Sequence, residues 1–168
     1  GQGEHAVNAA TAPSARAALR SALGLHDDER VLVPASTDQR LADAFAFAYV
    51  SGIAHLALNN TRGVFPRSTP AMARVQRARA TVNIDWRLLE SDQPLDVLLP
   101  AADLAVLTAP RPGPNARDAV RECHRAGVPV VGAATALPRE LYDDESWALC
   151  AAPGSREGQL VTAVARIA

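Results

Sequence analysis

Leu104-Ala-Val-Leu-Thr-Ala-Pro-Arg-Pro-Gly-Pro-Asn-Ala-Arg-Asp-Ala-Val-Arg-Glu-Cys-His-Arg-Ala-Gly-Val-Pro-Val-Val131 reads as strand, Pro/Gly-rich loop, helix, glycine turn and strand. Leu104 to Leu107 is a short apolar run ended by turn-forming residues, which fits a buried strand. Ala116 to Ala126 is the helix, Gly127 turns the chain, and Val128 to Val131 is the next strand. The loop Pro110 to Asn115 delivers the chain to a helix N-terminus, where free N–H groups and the helix dipole favour an anion such as phosphate. Such a loop is also the ordinary way to join strand to helix, so it carries two readings.

The same rhythm extends in both directions. Residues 1–13 are small and polar without periodicity and read as a linker, which leaves 14–168 as one domain. Ser14 is placed to cap a helix over Ala15 to Leu23 that Gly24 closes, and Val31 to Val33 is a strand bounded by Pro34. The pattern predicts a helix over Leu41 to Val50 ending near Gly52, a strand over Ala54 to Leu58, and a loop over Asn59 to Gly63. Ser68 is placed to cap a helix over Thr69 to Ala80 with Arg74, Arg77 and Arg79 outward, and Thr81 to Ile84 reads as a strand. Leu95 to Leu99 is expected to be helical, Trp147 to Ala151 a strand, and Gly158 to Ala168 a closing helix. Short apolar strands each followed by a helix indicate a doubly wound, Rossmann-like parallel sheet of about six strands with helices on both faces. Ligands of such sheets bind beyond the carboxyl ends of the strands, which directs attention to the loops after Val33, Leu58, Leu107 and Val131.

Composition narrows the function. The 168 residues carry 17 basic and 18 acidic side chains, a net charge of −1, which argues against a nucleic-acid partner. No apolar run reaches the ~18–20 residues of a membrane span. The two cysteines, Cys123 and Cys150, cannot build a disulfide scaffold and suit a reducing, cytoplasmic compartment. Every basic residue is Arg, so no lysine is available as a base or phosphate ligand. The chain opens on Gly1 and its only Met is Met72, as expected of a segment of a longer protein.

The segment resembles the nucleotide-sugar-binding half of retaining GT-B glycosyltransferases of the family 4, or group 1, type. That family's pattern runs Ala-Asp, an apolar strand, Pro-Ser, then Glu, seven residues, Glu-Ala, a small residue and Gly-x-Pro-Val-Val. Ala102-Asp103, Leu104 to Leu107, Pro110, Glu122, Gly127, Pro129, Val130 and Val131 fall into those places without a gap. Ala15 to Val33 is similar to the Arg-rich helix, Leu-Gly-Leu and first strand that open the family's domain. Glu140-Leu141, and then Pro153-Gly154, Glu157, Leu160, Ala163-Val164 and Arg166, match its closing segments.

The resemblance implies a nucleotide diphosphate sugar as donor substrate, no metal, and an acceptor-binding domain N-terminal to this one, without which the segment should not turn over. It places Glu122 on the nucleotide ribose, where a carboxylate accepts from both hydroxyls. Glu122 also reads as an exposed helix glutamate beside Arg121 and Arg125. The family's first Glu, which faces the sugar, is replaced by Pro114, and its aromatic-Gly pair by Ala116-Arg117. The helix start Asn115-Ala116-Arg117 is the expected neighbour of the diphosphate, with Asp118 in the first turn opposing an anion. Of the family's two diphosphate cations, the Arg position holds Ala35, while Arg40 stands in for the Lys. Arg40 equally reads as a surface arginine at a helix start.

Other candidates are weaker. His124 reads as surface or packing, His26 and His55 lack partners at metal spacing, and Cys123 and Cys150 form no C-x-x-C. Trp86 and Trp147 read as packing on the sheet. No G-x-G-x-x-G follows a strand, which disfavours a dinucleotide site, and the acidic cluster and lysine of a receiver domain are missing. Two functions remain: the donor-binding half of a glycosyltransferase, or a degenerate copy kept as a structural or partner-binding module.

Overall fold

The structure, a computed structural model, describes residues 15–37, 40–67, 69–79, 87–108, 116–133, 147–150 and Val164. Helix α1 covers 15–22. After it come β1 (Arg30–Pro34), α2 (Leu41–Leu58), β2 (Thr61–Pro66), α3 (Pro70–Arg79), β3 (Leu88–Ser91) and α4 (Leu95–Leu98), the last running into a 3-10 turn at Leu99–Ala101. Then follow β4 (Leu104–Leu107), α5 (Ala116–Arg125), β5 (Val130–Ala133) and β6 (Trp147–Cys150). The strands form one six-stranded parallel sheet in the order β3-β2-β1-β4-β5-β6. This is the doubly wound arrangement expected from the alternation of short strands and helices.

Alternate residues of each central strand feed two separate cores, as the period of two in a strand requires. Val31, Val33, Ala105, Leu107 and Val130 point to one face, where they meet Leu98, Leu99, Val120 and Cys123 from the 95–101 segment and α5. Leu32, Leu104, Val106 and Val131 point to the other, against Phe47, Val50, Met72 and Val75 from α2 and α3, and against Val164. Because both faces are covered, the strands are apolar throughout rather than alternating. Emptying one core site, as in Phe47→Ala at a fully buried ring, costs about 3–5 kcal/mol.

Two helices end by the same device. Gly24 and Gly127 hold φ of +74° and +73°, a left-handed conformation open to glycine. In α1 the Gly24 and Leu25 N–H groups donate to the Ser21 and Arg20 carbonyls. In α5 those of Gly127 and Val128 donate to His124 and Cys123. The Leu-Gly-Leu and Ala-Gly-Val tripeptides thus turn each helix directly into the apolar residue that precedes the next strand.

The region between β1 and β3 differs from the sequence expectation. Helix α2 does not stop near Gly52 but continues to Leu58, so Ala54 to Leu58 is its last turns and not a strand. A short apolar run fits a buried helix as well as a strand, and Gly52 is tolerated within a helix. The chain turns instead at Asn59 and Asn60, with φ of 58° and 51°. The expected loop through Gly63 is the start of β2, paired with Arg30, Val31 and Leu32. Gly63 is there because α2 crosses it closely: a Cβ would overlap the Ser51 side chain and come within 3.1 Å of Leu88 Cδ2. The strand beyond β2 is Leu88–Ser91, while the expected strand at Thr81 to Ile84 lies outside the described residues, as does Ser68. Arg74 and Arg77 are exposed on α3 as expected. The β5 strand begins two residues later than expected, at Val130. Ser14 and Trp86 also lie outside the described residues, and of the expected closing helix only Val164, helical and buried, is described.

An ion network closes the amino-terminal edge of the sheet. Arg20 is buried and donates to the carbonyls of Ala101 (3.1 Å), His26 (3.3 Å) and Glu29, and to Asp103 Oδ2 (3.4 Å). Asp103 also takes Arg16 at 2.9 Å and accepts the Val31 N–H at 2.8 Å. Next to it, the buried Glu29 carboxylate faces Arg62 at 3.3 Å and Arg87 at 3.8 Å. Together these contacts pin α1 to the first residues of β1, β2 and β4.

Candidate functional site

Strands β1 and β4 are neighbours whose connections leave in opposite directions, β1 towards β2 and β4 towards β5. A crevice opens beyond the carboxyl ends of such a pair. The Ala35 N–H still donates to the Val106 carbonyl at 2.9 Å, so the two strands stay paired up to its mouth. There a depression of about 210 Å³ is lined by Ala35, Ser36 and Thr37 after β1, Leu95, Asp96 and Leu99 from the β3–β4 connection, and Ala119, Glu122 and Cys123 from α5. The spacing of 119, 122 and 123 puts those three on one helix face. Two larger depressions, of about 330 and 370 Å³, share Arg30 and Asp103 in their walls and so lie at the amino-terminal edge, away from the switch in strand order.

The structure brings together two positions that the sequence pattern singles out, Glu122 and Ala35. The Glu122 side chain is 57% exposed, and its Oε1 takes Arg125 Nη1 at 2.5 Å within the same helix. Ala35 is buried and contributes a methyl wall. Arg40 is not among the depression's lining residues. It is the N-cap of α2, exposed, with its backbone N–H donating to Asp43 Oδ2 at 3.4 Å. Ala116 and Arg117 open α5 as expected, Arg117 and Asp118 being exposed. Asn115 and Pro114 lie outside the described residues. His124 is half-buried and His26 exposed. Among the described residues no cluster of His, Cys, Asp or Glu could hold a metal ion, and no helix is long and apolar enough to cross a membrane.

Three features of the site escaped the sequence reading. Leu95, Asp96 and Leu99 enter through the crossover from β3, a placement that only strand order reveals. Asp96 is exposed in the first turn of α4. Thr108, the residue after β4, is buried, and its hydroxyl has no hydrogen-bond partner among the described residues. Cys123 is fully buried beneath the depression, and burial, with the neighbouring Glu122 charge, pushes its thiol up to about 12, so it is neutral at physiological pH.

Solved structures match this arrangement. WaaG, a glycosyltransferase involved in lipopolysaccharide biosynthesis, aligns over 92% of this chain with a TM-score of 0.60 and 21% identity. The C-terminal domain of the glycosyl transferase group 1 family protein LpcC from Francisella tularensis aligns over 86%, with a TM-score of 0.57 and 13% identity. The fold is a GT-B carboxy-terminal half. The pneumococcal O-GlcNAc transferase GtfA, solved in complex with UDP and GlcNAc, also matches, over 85% of the chain with a TM-score of 0.53 and 15% identity. The chain spans 42% of the WaaG chain, 77% of the LpcC domain and 29% of GtfA. No protein-family model and no curated protein matches the sequence.

Proposed function

We propose that this GT-B half binds the nucleotide diphosphate sugar donor of a retaining glycosyltransferase, the acceptor being held by a second domain of the same fold. The observation that carries this reading is the depression at the β1–β4 switch point with Glu122 in its wall. In this reading Glu122 accepts hydrogen bonds from the ribose hydroxyls. The start of α5 at Asn115, Ala116 and Arg117 supplies N–H groups to the diphosphate, and Arg40, at the start of α2, supplies its positive charge. The catalytic contribution is positioning together with stabilisation of the leaving diphosphate.

A second reading has its own support. Ala35 stands buried where the group 1 pattern has a cation, and Glu122 already has Arg125 as a partner. Both fit a GT-B-like domain that has lost donor binding and serves as a structural or partner-binding module. Titration of the chain with UDP, GDP and ADP, followed by amide chemical shifts, separates the two. Donor binding gives saturable shifts with at least one nucleotide, weakened roughly ten- to a hundredfold by Glu122→Ala or Arg40→Ala, the loss of one charge-assisted contact. Silence with all three at millimolar concentration establishes the second reading.

A further inference from the structure

The depression has a chemical character of its own. Its walls are Leu95, Leu99, Ala35, Ala119 and the neutral Cys123, and its polar groups are the Ser36 and Thr37 hydroxyls and the Asp96 and Glu122 carboxylates. None of these lining residues is cationic, so a phosphate placed here meets two like charges and no counter-charge among the described residues. Its volume of about 210 Å³ is below the ~300 Å³ at which pockets for drug-sized ligands begin, which suits one flat ring system with its ribose at the rim. The nucleoside end of a nucleotide fits, and the diphosphate belongs outside.

The two carboxylates differ in what they are free to do. Glu122 holds Arg125 and takes the ribose in the reading above. Asp96 has no hydrogen bond or ion pair among the described residues, and its oxygens can only accept. Two oxygens in one plane match two adjacent N–H donors, and guanine presents that pair, its N1–H beside its N2 amino group. Uracil offers one N–H between two carbonyls, which would bring lone pairs against the carboxylate. Adenine and cytosine each set an amino group beside an acceptor nitrogen, leaving one donor.

Resting on the donor-binding reading, we propose that the donor is a guanosine diphosphate sugar whose base enters this depression and is held by bidentate acceptance at Asp96. The hydroxyl of Thr37 then faces the guanine O6. The base is selected by a residue on the β3–β4 connection and the ribose by one on α5, so base choice and ribose binding can be separated by mutation.

The experiment measures dissociation constants of the 168-residue chain for GDP, UDP, ADP and IDP, the last differing from GDP only in lacking the N2 amino group. GDP should bind tightest, and IDP roughly tenfold or more weakly, for loss of one hydrogen bond to a charged acceptor. In Asp96→Asn the GDP-to-IDP ratio should collapse towards one, with the melting temperature unchanged because the side chain is exposed. A merely structural role for Asp96 would weaken all four nucleotides alike, and that result overturns the base assignment. UDP or ADP binding as tightly as GDP also overturns it while leaving donor binding intact. Absence of binding by all four removes the donor-binding reading itself.

Discussion

The two ends of the β1–β4 strand pair are built differently. At the amino-terminal edge charged side chains interlock across the chain: Arg16 and Arg20 with Asp103, and Arg62 and Arg87 with Glu29. At the carboxyl-terminal edge the ion pairs lie to the sides, Arg67 with Glu90 and Asp92 beyond β2 and Arg125 with Glu122 on α5, while at the β1–β4 crevice Asp96 has no counter-charge and the buried Thr108 hydroxyl no hydrogen-bond partner among the described residues. The pairing at one edge fixes where β1, β2 and β4 begin; in the donor-binding reading the unpaired groups at the other face the nucleotide.

Breaking the closed edge should have the largest effect. Asp103→Ala removes the counter-charge of Arg16 and Arg20 and the acceptor of the Val31 N–H, leaving that backbone donor unpaired and Arg20 held by carbonyls alone. It should destabilise the chain by about 1–3 kcal/mol in chemical denaturation, chiefly for the unpaired backbone donor. Nucleotide affinity of the folded fraction should not change; a loss of affinity comparable to that of Glu122→Ala would mean the two edges are coupled.

The predicted alternation of strand and helix, and the carboxyl-edge location it implies, were legible because the cues are local. Leu104 to Leu107 forms its strand residue for residue, and Gly127 ends α5 where an Ala-Gly-Val tripeptide should. The misreading around Ala54 to Gly63 has a physical reason. Nothing in the sequence says that Ser51 packs against the backbone at Gly63, so a strand glycine demanded by tertiary contact looked like a loop glycine. Glu122 was legible from its place in a motif. Asp96 was not, since its proximity to Glu122 comes from the β3–β4 crossover, and spacing along the chain does not encode it.

A smaller effect should sharpen the boundary between core and site. Burial, with the Glu122 charge beside it, pushes the Cys123 thiol from its ordinary 9.0 up to about 12 in the folded chain. Below about pH 9 both states keep the proton and the thiol adds no pH dependence. Between pH 9 and 12 only the unfolded chain releases it, so this contribution falls as pH rises, by about 1 kcal/mol at pH 10. Denaturation of the native chain and of Cys123→Ala across pH 8 to 11 measures it, as a shallower decline in the variant. Equal slopes would place the thiol in contact with solvent through the depression.

The smallest expected change is at the open edge itself. Arg125→Ala removes a surface ion pair within one helix, and stability should shift by less than about 0.5 kcal/mol. Its value lies in the comparison with binding. Freed of Arg125, the Glu122 carboxylate is fully available, and nucleotide affinity should rise or stay level; a tenfold fall would make Arg125 a ligand in its own right.

The placement of β1 in the middle of the sheet also has a consequence in time. Its hydrogen bonds on one side come from β2, close behind it, but on the other from β4, with Val31 reaching Asp103 across 72 residues of chain. During synthesis, β1, α2 and β2 can associate early, yet one flank of β1 stays open until β4 has been made. Closing so long a segment is slow, and an exposed apolar strand edge invites pairing with other chains meanwhile. The residues that end this wait are Asp103 and Leu104, so the order of assembly is set by the same contact that seals the amino-terminal edge.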